Sequence, residues 1–319
     1  MNEYILLVLH KKGRSLSAFS LLDNSMIFDI RTNVFPHEIC LSPDRKLAYL
    51  TEYGLPVVES EGTGGNTIAV VDIAKRKIIK RISTANFRIP HGIVTHKNGQ
   101  MWVTAEYNEK ILSFDLSTEE LRFSVTTVGK TPHIVTITPD GKQAISTHVF
   151  TGDIVLIDTK TGKINKRIMT GDRPEGLAFS KDGKTLFVAN HKSNDIAVVD
   201  ILSGNIMKRI QTGNGPVRLV ATPKGDKIVT PVMYSNQAQV IDVESCEVVA
   251  TIEVGEQPAG ATISPDGKYA FFACQAEDRI HIVSLETYKV ENVLSVKQNL
   301  SLIHISEPTR RTPISYAVF

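Results

Sequence analysis

A β-propeller of seven four-stranded blades is predicted by three features: a proline recurring every 42 residues, four short strand-like runs in each interval, and tight-turn residues between them. Pro90, Pro132, Pro174, Pro216 and Pro258 keep that spacing strictly. Pro36 stands 54 residues before Pro90, and the surplus of 12 is one insertion, Leu55 to Asn66. A second marker, an apolar pair ending in Asp, falls at Asp72, Asp115, Asp158, Asp200 and Asp242, and Ser284 holds the same place in the next unit. A period of roughly 40 residues with four strands is that of a propeller blade. A helical solenoid would show a sustained 3.6-residue apolar period, which no segment here does, so helices should be nearly absent.

The unit beginning at Pro132 shows the pattern. Its runs read Ile134 to Thr138, Gln143 to His148, Ile154 to Asp158 and Lys163 to Met169. The turns between them, Pro139-Asp140-Gly141-Lys142, Thr151-Gly152-Asp153 and Lys160-Thr161-Gly162, are hairpin chemistry. Alternation along the runs should bury Val135, Ile145, Val155 and Ile157 between blades.

Six units run from Pro36 to Asn299, within residues 32–299. Ahead of them, Ile5 to Arg31 matches only the last three strands of a unit, so the missing inner strand must come from the other end of the chain. The next proline belongs at position 300, where Leu300 stands, and Leu302 to Ile305 is apolar enough to fill the vacancy. A seventh blade stitched from residues 4–31 and 301–306 would close the ring and remove exposed strand edges. This reading makes residues 1–306 one propeller domain. The segment from about Ser301 resembles translated adapter or vector sequence rather than evolved repeat, with residues 307–319 as a loose tail.

Composition is that of an ordinary globular protein, 42% hydrophobic and 22% charged. A net charge of +2 argues against nucleic acid or an acidic membrane as partner. Cys40, Cys246 and Cys274 show no CxxC spacing, and an odd count leaves one unpaired, so a reduced compartment is expected. Ile5 to Leu9 is too short for a signal-peptide core and lacks a basic flank. As it stands the chain reads as cytoplasmic; a missing leader would make it periplasmic or secreted. A monomer is expected.

Several pieces resemble the YVTN-repeat propellers: the Ser264 to Lys268 turn with its variants at Ser42, Thr138 and Ser180, the strand Phe187-Val188-Ala189-Asn190, and Val198-Val199-Asp200 before a Ser-Gly turn. The succession Pro-His-Glu, Pro-His-Gly, Pro-His-Ile, Pro-Glu-Gly, Pro-Val-Arg, Pro-Ala-Gly is similar to the YncE-like branch, and the match covers residues 4 to 299. The resemblance implies the fold but no activity, because such propellers bind and catalyse very different things.

The start of a blade's first strand and the end of its second lie together at the channel mouth, so two residue columns converge there. The first follows the marker proline: His37, His91, His133, Glu175, Val217 and Ala259, with Glu38 and Arg218 one step on. The second ends strand two: His10, Glu52, Glu106, His148, Asn190, Val232 and Cys274, with Tyr53, Tyr107 and His191 next. His37, Glu38, Glu52, His91, Glu106, His133, His148, Glu175, His191 and Arg218 are therefore the candidate ligand-binding residues. His37, His91, His133, Glu52 and Glu106 are the candidate ligands for a borderline divalent metal such as zinc, manganese or iron. The same groups could serve as acid and base. In the alternative reading, Pro-His is a strand-start preference with each imidazole bonded to a neighbouring blade's backbone.

Other features carry less. The glycine-rich stretch Glu61 to Asn66 lacks the lysine and helix of a phosphate loop, although Glu59 and Glu61 could reach the mouth. The aspartate column reads as turn chemistry and Trp102 as core. Lys80-Arg81 and Lys208-Arg209 read as solvated edge protection, and no serine nucleophile signature is present. Three functions stay open. One is a propeller that binds a small molecule, metal or protein partner at the channel mouth. Another is a metal-dependent hydrolase or lactonase. The third, suggested by resemblance to the propeller subunits of amine dehydrogenases, is a redox or scaffold subunit.

Overall fold

The computed structural model describes residues 4–56, 62–296 and 300–306. Seven four-stranded antiparallel sheets form the ring. Blade three has strands Pro132–Ile137, Gln143–His148, Asp153–Asp158 and Ile164–Met169, inner to outer. Among the described residues there is no α-helix, only single 3-10 turns at Glu106–Asn108 and Met233–Ser235, and no helix is long and apolar enough to cross a membrane.

The seam blade joins both chain ends: Leu300–Ser306 pairs with Ile5–His10, followed by Ser15–Ser20 and Met26–Arg31. Leu300 pairs with His10 as Pro132 pairs with His148, so it holds the proline's place in the period. Glu59, Glu61 and residues 307–319 lie outside the described residues.

The repeated Ser-Pro-Asp-Gly-Lys turn is a capped hairpin. Ser264 Oγ donates to Asp266 Oδ1 at 2.6 Å and accepts from Lys268 N at 3.1 Å and Tyr269 N at 2.8 Å. Gly267 supplies the left-handed residue at φ 71°. The aspartate column is turn chemistry as expected: Asp158 Oδ1 accepts from Thr161 N at 2.7 Å and Thr161 Oγ1 at 2.8 Å.

Alternating side chains pack each blade against both neighbours. Val135, Val155 and Ile157 meet Trp102 and Ile111 of blade two, whereas Ile145 meets Leu186 and Val188 of blade four. Trp102 is fully buried, its Nε1 donating to Gln100 Oε1 at 3.0 Å. At the axis the inner strands crowd together. A Cβ on Gly92 would sit 2.4 Å from the His133 carbonyl oxygen, and one on Gly176 2.5 Å from that of Val217. Glycine at these places permits the approach that builds the mouth.

Candidate functional site

In blades one to four and six the inner strand opens on a β-bulge just after its proline or one residue on. Pro36 pairs with Glu52 but Ile39 with Leu50, and the same slip recurs at Pro90/Ile93 and Pro132/Val135. A bulge leaves an extra residue unpaired and re-aims its side chain. A threonine on strand two catches the bulged amide in all three blades: Glu38 N donates to Thr51 Oγ1 at 3.0 Å, Gly92 N to Thr104 Oγ1 at 2.8 Å, and Ile134 N to Thr147 Oγ1 at 3.0 Å. Thr51 then donates to the His91 carbonyl at 2.9 Å and Thr104 to the His133 carbonyl at 2.8 Å. These bonds tie consecutive blades together and stack their histidines.

The result is an imidazole ladder. The His37 and His91 ring centres are 4.0 Å apart, those of His91 and His133 3.9 Å. Glu106 closes one side: its Oε1 accepts from His133 Nδ1 at 2.7 Å and its Oε2 from the Tyr53 hydroxyl at 2.9 Å. His91 Nδ1 lies 3.1 Å from the His133 carbonyl. A carbonyl only accepts, so Nδ1 carries the hydrogen and Nε2 presents a lone pair. That Nε2 is buried, has no hydrogen-bond partner, and lies 4.0 Å from Glu106 Oε1.

Burial keeps His37 and His91 neutral. Burial, aided by Lys11, pushes His37 down to about 4. Burial, with the neighbouring His133 and His37, holds His91 well below its ordinary value. Burial works to raise the Glu38 carboxyl, but Arg218 and His37 outweigh it and hold it low. Arg218 belongs to blade five and Glu38 to blade one, so their ion pair spans the channel. Glu175 bonds Arg173 Nε at 2.7 Å; burial works to raise it, but His133, His191, Arg173 and Arg218 together keep it low. His191 is lowered by burial, its ring 5.2 Å from that of Tyr234.

His37, Glu38, His91, Glu106, His133, Glu175 and Arg218 thus lie at the mouth, with His191 beside Glu175. Donor atoms of His91, Glu106 and His133, and separately of His37, Glu38 and His91, lie within 4.8 Å of one another. The mouth is a packed plug: His91 has no exposed surface, and His37 and Glu38 are the thinly exposed layer.

Glu52 and His148 do not join the cluster. Glu52 Oε2 accepts from Thr67 Oγ1 at 2.5 Å and from Arg81 Nε at 2.8 Å, within its own blade. His148 Nδ1 faces Asp153 at 3.3 Å, and Asp153 is clamped by Arg167 at 2.9 Å. Residues ending strand two point along the blade toward strand three, away from the axis. Glu106 reaches the mouth because it lies one place further on: Pro90 pairs with Ala105, not Glu106. Its counterparts are Tyr53 and His191. Arg81 and Arg209 are not edge protection either, since Arg209 Nη1 pairs with the buried Asp195 at 2.8 Å. Lys11 and Arg173 belong to the site but escaped the two columns, whereas Tyr53, read as the residue next to Glu52, stands in the true column of Glu106.

A family model described as YNCE-like beta-propeller matches residues 110–298. No curated protein matches the chain. Among solved structures it is similar to hydrazine synthase of Kuenenia stuttgartiensis, with TM-score 0.74 and 18% identity over 86% of this chain and 90% of that one. It is also similar to a functionally unknown protein of Desulfotomaculum acetoxidans, with TM-score 0.78 and 13% identity over 94% of this chain and 98% of that one. At such identities the likeness establishes the fold alone. The family match spans more than half of the sequence and includes Glu175, His191 and Arg218; with the seven-bladed ring and its Pro-Asp-Gly hairpins, it places the chain in the YNCE-like β-propeller family.

Proposed function

We propose that this protein is a binding propeller whose channel mouth holds a divalent cation on His91, Glu106 and His133, with His37 and Tyr53 beside them. The observation that carries this is the buried, unpartnered lone pair of His91 Nε2 aimed toward the Glu106 carboxylate. Leaving a buried acceptor unsatisfied costs about 1–3 kcal/mol, which a bound cation would recover. Charge supports the same reading. Glu38 is paired with Arg218 and Glu175 with Arg173, whereas the groups at hydrogen-bond distance from Glu106 are the Tyr53 hydroxyl and the His133 imidazole, with no arginine or lysine among them. Neutral imidazoles plus one carboxylate form the donor set of zinc and of iron or manganese. Tyr107, Val128, Phe150 and Tyr234 are exposed apolar groups on the loops at the same end of the ring, contact surface for a small molecule or a partner protein.

Elemental analysis of the purified protein and calorimetric titration with Zn²⁺ and Mn²⁺ test this. One equivalent should bind the wild type, and His91→Ala, His133→Ala or Glu106→Gln should weaken it by at least about tenfold. A wild type that takes up neither metal, with variants that lose only stability, would establish the histidines as strand starters bonded to backbone.

A further inference from the structure

A second donor set lies in blade six. Cys274 ends strand two, Glu277 sits in the following turn, and His281 lies on strand three. One donor atom of each falls within 4.8 Å of the others. His281 Nε2 lies 2.7 Å from Glu277 Oε1, while its Nδ1 is buried with no hydrogen-bond partner. Cys274 is fully buried, and the side chains of Glu277 and His281 are thinly exposed, giving a route from solvent. Gly255, on the connection from blade five, makes room: a Cβ there would lie 1.6 Å from Glu277 Oε1 and 2.7 Å from His281 Nε2.

The repeat shows what this place holds elsewhere. In blades one, three and four a buried carboxylate at the same level is neutralised by an arginine of the outer strand: Glu52 by Arg81, Asp153 by Arg167, Asp195 by Arg209. Those arginines pair in register with Ala69, Val155 and Ala197 of strand three. In blade six the corresponding register pair is His281 with Val293. The arginine has become valine, and the small apolar partner has become histidine. The cation's place is surrounded by sulfur, nitrogen and oxygen. Arg279 approaches Glu277 only from the exposed side, Nη1 to Oε2 at 4.0 Å.

We infer that Cys274, Glu277 and His281 form a second metal site, for a borderline divalent ion such as Zn²⁺, with a fourth position open to water. Three mixed protein ligands plus an open position is a known zinc arrangement. Binding would form a metal–sulfur bond and release the thiol proton to solvent. Thiolate and carboxylate together would balance the charge of the ion, as arginine balances the carboxylate in the other blades.

Titration of the metal-free full chain with Co²⁺ separates this site from the mouth, which contains no sulfur. A thiolate-to-cobalt charge-transfer band should grow in to one equivalent and persist in the His91→Ala/His133→Ala double variant. It should vanish in Cys274→Val, a substitution the fold accommodates because Val232 already occupies that place in blade five. Glu277→Gln and His281→Gln should weaken cobalt binding by about 10–100-fold. Absence of the band in the wild type, or its survival in Cys274→Val, would overturn the assignment.

Discussion

Replacing Arg81 with methionine should destabilise the protein without touching the channel mouth. Glu52 is fully buried, and two of its contacts run to Arg81 Nε, at 3.1 and 2.8 Å. Methionine keeps much of the stem but removes the charge, leaving a buried carboxylate with Thr67 as its remaining hydroxyl donor. Breaking a buried ion pair by removing one partner costs about 3–5 kcal/mol. Two effects pull that down here. The Arg81 side chain is 37% exposed, so water already screens the pair. Water can also enter the space the guanidinium leaves and solvate the orphaned carboxylate, which lowers the penalty further. The expected loss is about 2–3 kcal/mol, or a melting temperature lower by roughly 4–12 °C if each kcal/mol is worth about 2–4 °C in a chain of this size.

Urea or thermal denaturation measures the loss, and metal titration of the same variant measures the mouth. Unchanged stability with weakened metal binding would refute the reasoning and return Glu52 to the site.

In metal-free protein, stability should fall as pH drops from about 6.5 to about 4. His37 titrates near 4 when folded, so between these values the unfolded chain binds the extra proton; 2.5 units correspond to roughly 3 kcal/mol, with His91 acting in the same direction. His37→Gln should flatten that slope in denaturation curves taken at successive pH values, and an unaltered slope would contradict it. Gly92→Ala should cost about 1–3 kcal/mol and displace His133, since the new Cβ meets backbone rather than a movable side chain; a neutral effect in denaturation and metal titration would count against close inner-strand packing. Removing residues 307–319 should leave the melting temperature within about a degree or two, whereas truncation before Leu300 should lower it far more by stripping the inner strand from the seam blade. Equal melting curves for the two truncations would place the boundary elsewhere.

The blades were legible because their cause is local and repeated. Proline marks the start of the inner strand in six blades, an aspartate caps the outer hairpin in five, and both leave marks at fixed intervals. The seam followed from the same arithmetic, with Leu300 in the proline's place. The site was harder because side-chain direction depends on single residues. Blade two turns through Lys97-Asn98-Gly99, one residue shorter than the Pro-Asp-Gly-Lys turn, so its second strand ends at Ala105, and a one-residue shift sends Glu106 to the mouth while Glu52 and His148 face into their blades. Nor could spacing reveal that Arg218 reaches across the ring to Glu38, a contact between residues 180 apart in the chain.

The structural role of Pro-His accounts for only one nitrogen of the His91 ring. His91 Nδ1 bonding to the His133 carbonyl is the backbone tether that a strand starter would make, and Thr51 and Thr104 tether those strands independently. Blade six shows that the ring closes without an imidazole there, because Ala259 sits buried in the same place and the strand still opens on its proline. If tethering were the whole purpose, alanine with threonine beneath it would meet the need and leave no buried nitrogen unsatisfied. Blade two instead carries His91 with an orphaned Nε2, set between two more imidazoles and facing the Glu106 carboxylate. Departures from local satisfaction that bring no packing gain are expected where a protein meets something other than itself. What suits a neutral lone pair beside a carboxylate is a cation.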